Sequence, residues 1–363
     1  MTILFRYILQ ECFKIFVMCF AGLMTVYLVV DFFEKVRGFI RHEPTVGTIL
    51  LYFLFKCPAI AAQMAPLALL MATLLTVSVL ARNHELTAIR SCGIGPLWIA
   101  TPFLVFAFAI GLMLFALGAV VGPMATAQAD YVKAVLIEKK PVRLTAKSHR
   151  PWLQADNQSL MNVDDVDPDT AVLRGVSVYR LDPSFRLSEI IESREARYTD
   201  RGWRLEKGVR RTLLPSGAML TESFEEWPIA ISQRPEDFKT WFSTKSEELT
   251  LFEIKAQADR LRRDGYGYAR PLTDYYMVVT QPLIPVVMAV VGLALSLGLG
   301  GRRSTGIALG IGQALAIGFL YWTTQSVSVA LGRSGVLAPL IAGSVAHLLF
   351  LSLGGYLFLR LRQ

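Results

Sequence analysis

Hydrophobic positions along the chain fall into six long runs, residues 12–33, 49–80, 97–122, 272–299, 305–331 and 337–359, with a stretch of ordinary charged sequence between the third and the fourth. Each run approaches or exceeds the roughly 20 mostly apolar residues that span a bilayer core. The pattern therefore predicts an α-helical membrane protein with six transmembrane helices, three and three, around an inserted soluble domain. The expected domains are 1–122 (helices 1–3), 123–271 (the inserted domain with flanking connector helices) and 272–363 (helices 4–6). An even number of spans puts both termini on one side. Lys14 interrupts the first run and no small-x-small cleavage site precedes a mature domain, so this run reads as a retained helix.

Lys and Arg beside short loops favour the cytoplasmic side. With the N-terminus inside, Arg6, Lys14, Arg82, Arg90, Arg302, Arg303, Arg360 and Arg362 lie inside, against Lys35, Arg37, Arg41 and Arg333 outside. This balance predicts cytoplasmic termini and places the central domain across the membrane.

Inside that domain the period changes. Segments AVLRGVSVYRL, LSEIIESREARYT, GWRLEKGVRRTLL and AMLTESFEEWPIAI are separated by DPD, DPSF, TDRG and LPSG. Short alternating runs broken by turn formers predict an all-β sandwich or roll, although Val172, Arg174, Val176, Val178 and Arg180 alternate imperfectly. Two helices are expected to connect it to the spans: one continues the third run through MATAQADYVKAVLIEKK, and the other opens at Thr250-Leu-Phe-Glu253, which fits a capping box.

The formal charge of +8 and pI near 9.3 raise the question of nucleic acid. Much of the surplus flanks the spans, where basic residues meet anionic headgroups, so the partners expected are membrane lipids and no nucleic acid. Cys12, Cys19, Cys57 and Cys92 all lie outside the central domain, which must fold on its own apolar core without a disulfide.

Catalytic motifs fail. No G-x-x-x-x-G-K-[ST] occurs, so no nucleotide-binding P-loop is present. The stretch from Gly298 to Gly306 follows an apolar run and reads as a loop. His42, His84, His149 and His347 lack metal-ligand spacing. Gly332-Arg333-Ser334-Gly335 resembles an intramembrane protease string, but His347 lies thirteen residues away, roughly 20 Å along a helix, too far for a nucleophile and its base. The chain reads as a non-catalytic subunit with no metal and no bound cofactor.

Polar residues near the spans carry more information. Asp31, Glu34, Lys35, Arg37 and Arg41 cluster at the end of the first run, and Lys133, Lys139, Lys140 and Arg143 follow the third; singly they read as side chains snorkelling to the interface, and as a set they suit a basic ring for an anionic amphiphile. Pro58 and Pro66 bracket Gln63, while Pro282 and Pro285 follow Gln281, so both spans are open to kinking. Gly306-x-x-x-Gly310 permits close helix packing. The loop Ala81–Gly93 reads either as a simple loop or as a short amphipathic helix with Leu86 and Ile89 on one side, which would suit docking of a separate ATPase.

Arg6-Tyr7-Ile8, the segment HELTAIRSCG from His84 to Gly93, the three-plus-three arrangement and Gln281-Pro282-Leu283 together resemble the lipopolysaccharide export permeases, the paired LptF/LptG-type subunits of a Gram-negative ABC exporter. Ile89 stands where methionine is usual, Cys92 where a small residue is, and Asp31 where some members have lysine. GFLYWTTQSVSVALG and the ending RLRQ look more like the G type.

The resemblance implies a β-jellyroll-like periplasmic domain and a twelve-helix cavity shared with an LptF-like second permease. It also implies an LptB-like cytoplasmic ATPase dimer holding ATP and Mg, an LptC-like membrane-anchored protein, a periplasmic bridge protein, and lipopolysaccharide as substrate. It assigns coupling to His84, Glu85, Leu86, Ile89 and Arg90 and substrate contact to Lys35, Arg37, Arg41 and Lys133, in a multi-pass inner-membrane protein. Competing readings are a lipoprotein-releasing or other lipid permease, a secondary transporter, and a structural or sensory anchor.

Overall fold

The computed structural model describes residues 2–138, 144–145, 152–156, 158–167, 172–184, 186–199, 202–213, 218–229, 249–263, 267–299 and 307–360. The chain divides into two units, one made of Met1–Glu138 with Ser246–Gln363 and the other of Lys139–Lys245. The helical residues before Glu138 and after Ser246 thus pack with the apolar helices.

In the first unit the helices are α1 (Thr2–His42), α2 (Val46–Arg82), α3 (Glu85–Ser91) and α4 (Pro96–Ile137), then α5 (Leu251–Arg263), α6 (Ala269–Thr280), α7 (Leu283–Leu299), α8 (Ile307–Arg333) and α9 (Pro339–Arg360). Five described helices are long and apolar enough to cross a membrane, and α6 with α7, bent by 55° at their junction, makes a sixth when the pair is counted as one span. Helices are the required solution where no water is available to the backbone. Between α1 and α2 the chain turns in three residues. Glu43 takes a left-handed φ of 48°, Pro44 cannot continue a helix, and Thr45 caps α2 by accepting from the Thr48 amide.

α2 is the centre of the bundle: 72% of its apolar window is buried, against 22% for α1. Its hydroxyls at Thr73 and Thr76 donate to Leu69 O (2.8 Å) and Ala72 O (2.6 Å), so they enter the core already satisfied. Small residues bring the neighbours close: Gly292 of α7 lies against Thr73 and Leu70, and Gly318 of α8 against Leu67. Gly310 meets Leu75 in the same way, whereas Gly306 lies outside the described residues.

The interruption of the fourth span has a local cause. Pro282 has no amide hydrogen, Gln281 N reaches back to Met277 O (3.1 Å), and Ile284 N bonds to Gln281 O (3.1 Å) instead of Thr280 O. The Thr280 carbonyl is taken by His347 Nε2 from α9 at 3.1 Å. A carbonyl only accepts, so Nε2 carries a proton, and in the neutral ring Nδ1 receives a long contact from the Tyr321 hydroxyl of α8 (3.4 Å). On the other side Gly111 and Gly118 of α4 face the Pro282 carbonyl and the end of the Gln281 side chain; a Cβ at Gly111 would run into backbone, one at Gly118 into a side chain that can swing away.

The second unit is one antiparallel sheet. Its strands are β1 (Leu144–Thr145), β2 (Trp152–Asp156), β3 (Ser159–Asp167), β4 (Val172–Leu181), β5 (Leu187–Thr199), β6 (Gly202–Leu213) and β7 (Met219–Ile229). β1 and β2 both pair with one edge of β3, and β3 to β7 follow as a meander. An antiparallel β domain between helices is therefore present, and β4 to β7 coincide with the four alternating segments of the sequence. The turn at Asp182 is held by its carboxylate, which accepts from Ser184 N (2.8 Å) and Arg186 N (2.9 Å).

The imperfect alternation also has a structural reason. Register runs unbroken through Val163↔Val176 and Asp165↔Arg174. Yet β4 buries Val176 and Val178 along one part and both Val172 and Leu173 at its start, and β5 buries Ile191 and then Ala196. The buried face changes along the strands, beside Gly175 with its φ of +63°. Met161, Val163, Trp203, Leu205 and Ile229 complete that core.

Candidate functional site

The expected basic ring begins at the His42 end of α1. Phe39 of α1, Tyr52 of α2 and Ala129, Val132 and Ile137 of α4 form a separate apolar cluster that brings these three helix ends together. Its rings meet edge-on or tilted, with Phe39 and Phe53 centroids 6.3 Å apart. This packing fixes the faces of α1 and α2 that meet one turn away.

On that shared face lies an ion cluster. Asp31 and Lys35, four residues apart on α1, project from one side of the helix. Asp31 is 5% exposed, and its Oδ1 accepts from Lys35 Nζ and from Lys56 Nζ of α2, the latter at 2.8 Å. The other carboxylate oxygen, Oδ2, is buried and has no partner among the described residues. Lys56 also lies 5.7 Å from the Tyr52 ring centroid.

The four proposed substrate contacts are thereby split. Lys35 belongs to the ion cluster, Arg37 and Arg41 are exposed further along α1, and Lys133 is exposed on α4 in a π-helical stretch, Val132–Ile137, beside the apolar cluster. Lys139, Lys140 and Arg143 lie outside the described residues. Lys56 was not singled out by the sequence reading, although it is the lone charge in an otherwise apolar stretch, a signal sufficient to have found it.

At the opposite end of the same helices is α3. The chain leaves α2 through Asn83, and His84 adopts a left-handed φ of 60° to start the new helix. Leu86 and Ile89 are buried in the bundle core, 4% and 9% exposed, and anchor α3 against it. His84, Thr87, Ala88, Arg90 and Ser91 are exposed and form the outward face of α3.

Glu85 is half-buried and held from two sides, by the Tyr7 hydroxyl at 2.8 Å and by Asn83 Nδ2 at 3.2 Å. Hydrogen bonds to a carboxylate are among the stronger ones. Tyr7 and Lys35 belong to one uninterrupted helix and are 28 residues apart, about 42 Å along its axis. α1 therefore carries Asp31 and Lys35 of the ion cluster toward one end and the Tyr7 hydroxyl that holds Glu85 near the other.

Ser334 and His347 do not meet. The Ser334 hydroxyl donates to Leu331 O at 2.9 Å, whereas His347 is buried against the Thr280 carbonyl. Arg333 instead ties α8 to α6 through the buried Asp274 (2.8 Å).

No curated protein matches the chain. A family model does match, over residues 6–360, a range that takes in α1 with its ion cluster, α3, the β domain and the broken span. The chain accordingly belongs to the lipopolysaccharide export system permease LptF/LptG family.

Proposed function

We propose that this chain is one half of an ATP-driven exporter that extracts lipopolysaccharide from the inner membrane and passes it through the β domain toward the outer membrane. The family itself establishes a lipopolysaccharide export permease, and the helices a multi-pass membrane protein. The observation that carries the finer reading is the polarity of α1: a cationic cluster lies toward one end, and at the other an exposed short helix is clamped through Glu85.

In this reading the termini and α3 are cytoplasmic, and Lys35, Lys56, Arg37, Arg41 and Lys133 meet the phosphorylated headgroup on the far side. Moving acyl chains out of hydrocarbon costs about 0.8 kcal/mol per CH₂, so extraction of several chains needs both an apolar chamber and an external energy source. The sequence has no P-loop, so that source is a separate ATPase dimer docking on α3. Binding and hydrolysis there bias the cavity between open and collapsed states. The partners are an LptF-like second permease, an LptC-like anchored protein and a periplasmic bridge, and GFLYWTTQSVSVALG in α8 supports the G-type position.

The test is reconstitution in liposomes with an ATPase and a second permease, scoring ATP-dependent release of lipopolysaccharide to a soluble acceptor. Release is expected to require this chain. Glu85→Lys is expected to abolish release while ATP hydrolysis persists. Normal release by that variant refutes the role of Glu85, and no release by an assembled, hydrolysing wild-type complex refutes the cargo.

A further inference from the structure

We infer that Asp31 is a resident counter-anion which a lipid phosphate must displace, and that it makes the Lys35–Lys56 pair selective for phosphomonoester over phosphodiester headgroups. The inference rests on the export reading above and concerns how this chain tells its cargo from the surrounding bilayer.

Three observations carry it. Two ammonium groups from different helices converge on one carboxylate oxygen. The second oxygen is buried and has no partner among the described residues, so within them the carboxylate is held with half its accepting capacity unused. The lysines are not sealed in: their side chains are 21% and 25% exposed, so an incoming acceptor can reach them while Asp31, at 7% for its side chain, stays behind them.

The consequence follows from charge. Each ammonium has three donors, and Asp31 occupies one on each lysine. A phosphodiester carries a single negative charge, no more than the carboxylate already present, and gains little by competing with a group tethered in place. A phosphomonoester carries about −1.5 to −2 near neutral pH and three terminal acceptor oxygens, enough to draw both lysines outward. Tyr52, whose ring faces Lys56, and Asp130 of α4 are the other ionisable groups whose charge bears on this site. The phosphate is assigned to a lipid because the cluster sits between apolar helices beside the Phe39–Tyr52 aromatic cluster.

The experiment uses the full chain in nanodiscs and three probes: a bisphosphorylated glycolipid, the same glycolipid without its phosphates, and phosphatidylglycerol. Wild type is expected to prefer the bisphosphorylated form over both others. Asp31→Asn is expected to tighten phosphatidylglycerol binding at least about five-fold, the low end of measured coupling between linked sites, and so to narrow the preference. An unchanged preference in Asp31→Asn, with wild type still discriminating, overturns the inference alone. Wild type that does not distinguish the phosphorylated from the dephosphorylated glycolipid removes the export reading with it.

Should Asp31→Asn fail to fold, Lys56→Gln carries the test. It is expected to weaken binding of the bisphosphorylated glycolipid, and unaltered binding overturns the inference. Inorganic phosphate, lacking acyl chains, is not expected to compete at the concentration of the lipid. Competition by it overturns the assignment to a lipid.

Discussion

α2 and the fourth span both carry two prolines and a glutamine inside an apolar run, yet α2 is continuous from Val46 to Arg82, whereas α6 and α7 meet at Gln281-Pro282 with a 55° bend. Spacing accounts for part of the difference. Pro58 and Pro66 are eight residues apart, so each removes one donor from a ladder that is intact on both sides. Pro282 and Pro285 are three apart and take two donors from a single turn. Surroundings account for the rest: the carbonyl released at Thr280 has a donor waiting in His347, and α4 offers glycine, not a side chain, at both points where the break approaches it. A proline in a span permits a break, and the neighbouring helices decide whether one is made.

The comparison can be broken most severely from the α4 side. Gly111→Leu places a side chain where the Pro282 carbonyl stands, and backbone yields less readily than a flexible side chain. Overpacking of this kind costs about 1–3 kcal/mol or more, and a large drop in the thermal unfolding midpoint in detergent is expected. A wild-type midpoint would mean that α4 does not hold the break.

Next in size is the hydrogen bond itself. His347→Ala leaves the Thr280 carbonyl without its donor at a cost of about 1–3 kcal/mol, read in the same unfolding assay. His347→Gln, whose amide can still donate, is expected to recover part of the loss, and equal loss in both variants would assign the effect to packing. The smallest effect belongs to α2. Pro66→Ala restores a backbone donor where the helix is already continuous, so the midpoint is expected to shift by no more than about 1 kcal/mol equivalent, as for most substitutions without a named mechanism. A large loss there would show that α2 depends on its proline as the fourth span depends on its surroundings.

Legibility followed the physics of each region. Apolar run length exposed the spans because bilayer thickness imposes it, and β4 to β7 were readable because turn formers punctuate them. The short helix α3 was readable from Leu86, Ile89 and the terminating Gly93, since burying one side of a helix leaves a periodic trace. The site was only partly readable. Lys35 could be named, but its pairing with Asp31 is one of several arrangements that charge alone permits, and Lys56 lies on another helix, 25 residues from Asp31. The Tyr7–Glu85 contact spans 78 residues and leaves no local pattern at all.

The apolar spans, an antiparallel β domain between helices and the family were all written in the sequence, because hydrophobic length, turn chemistry and contiguous motifs are properties of neighbouring residues. Tertiary structure alone decided that α2 is the buried centre, that the fourth span breaks while α2 does not, and that Asp31 stands between two lysines. Those outcomes depend on which helix faces meet, and that is set by close packing of glycines and aromatic rings contributed by segments far apart in the chain.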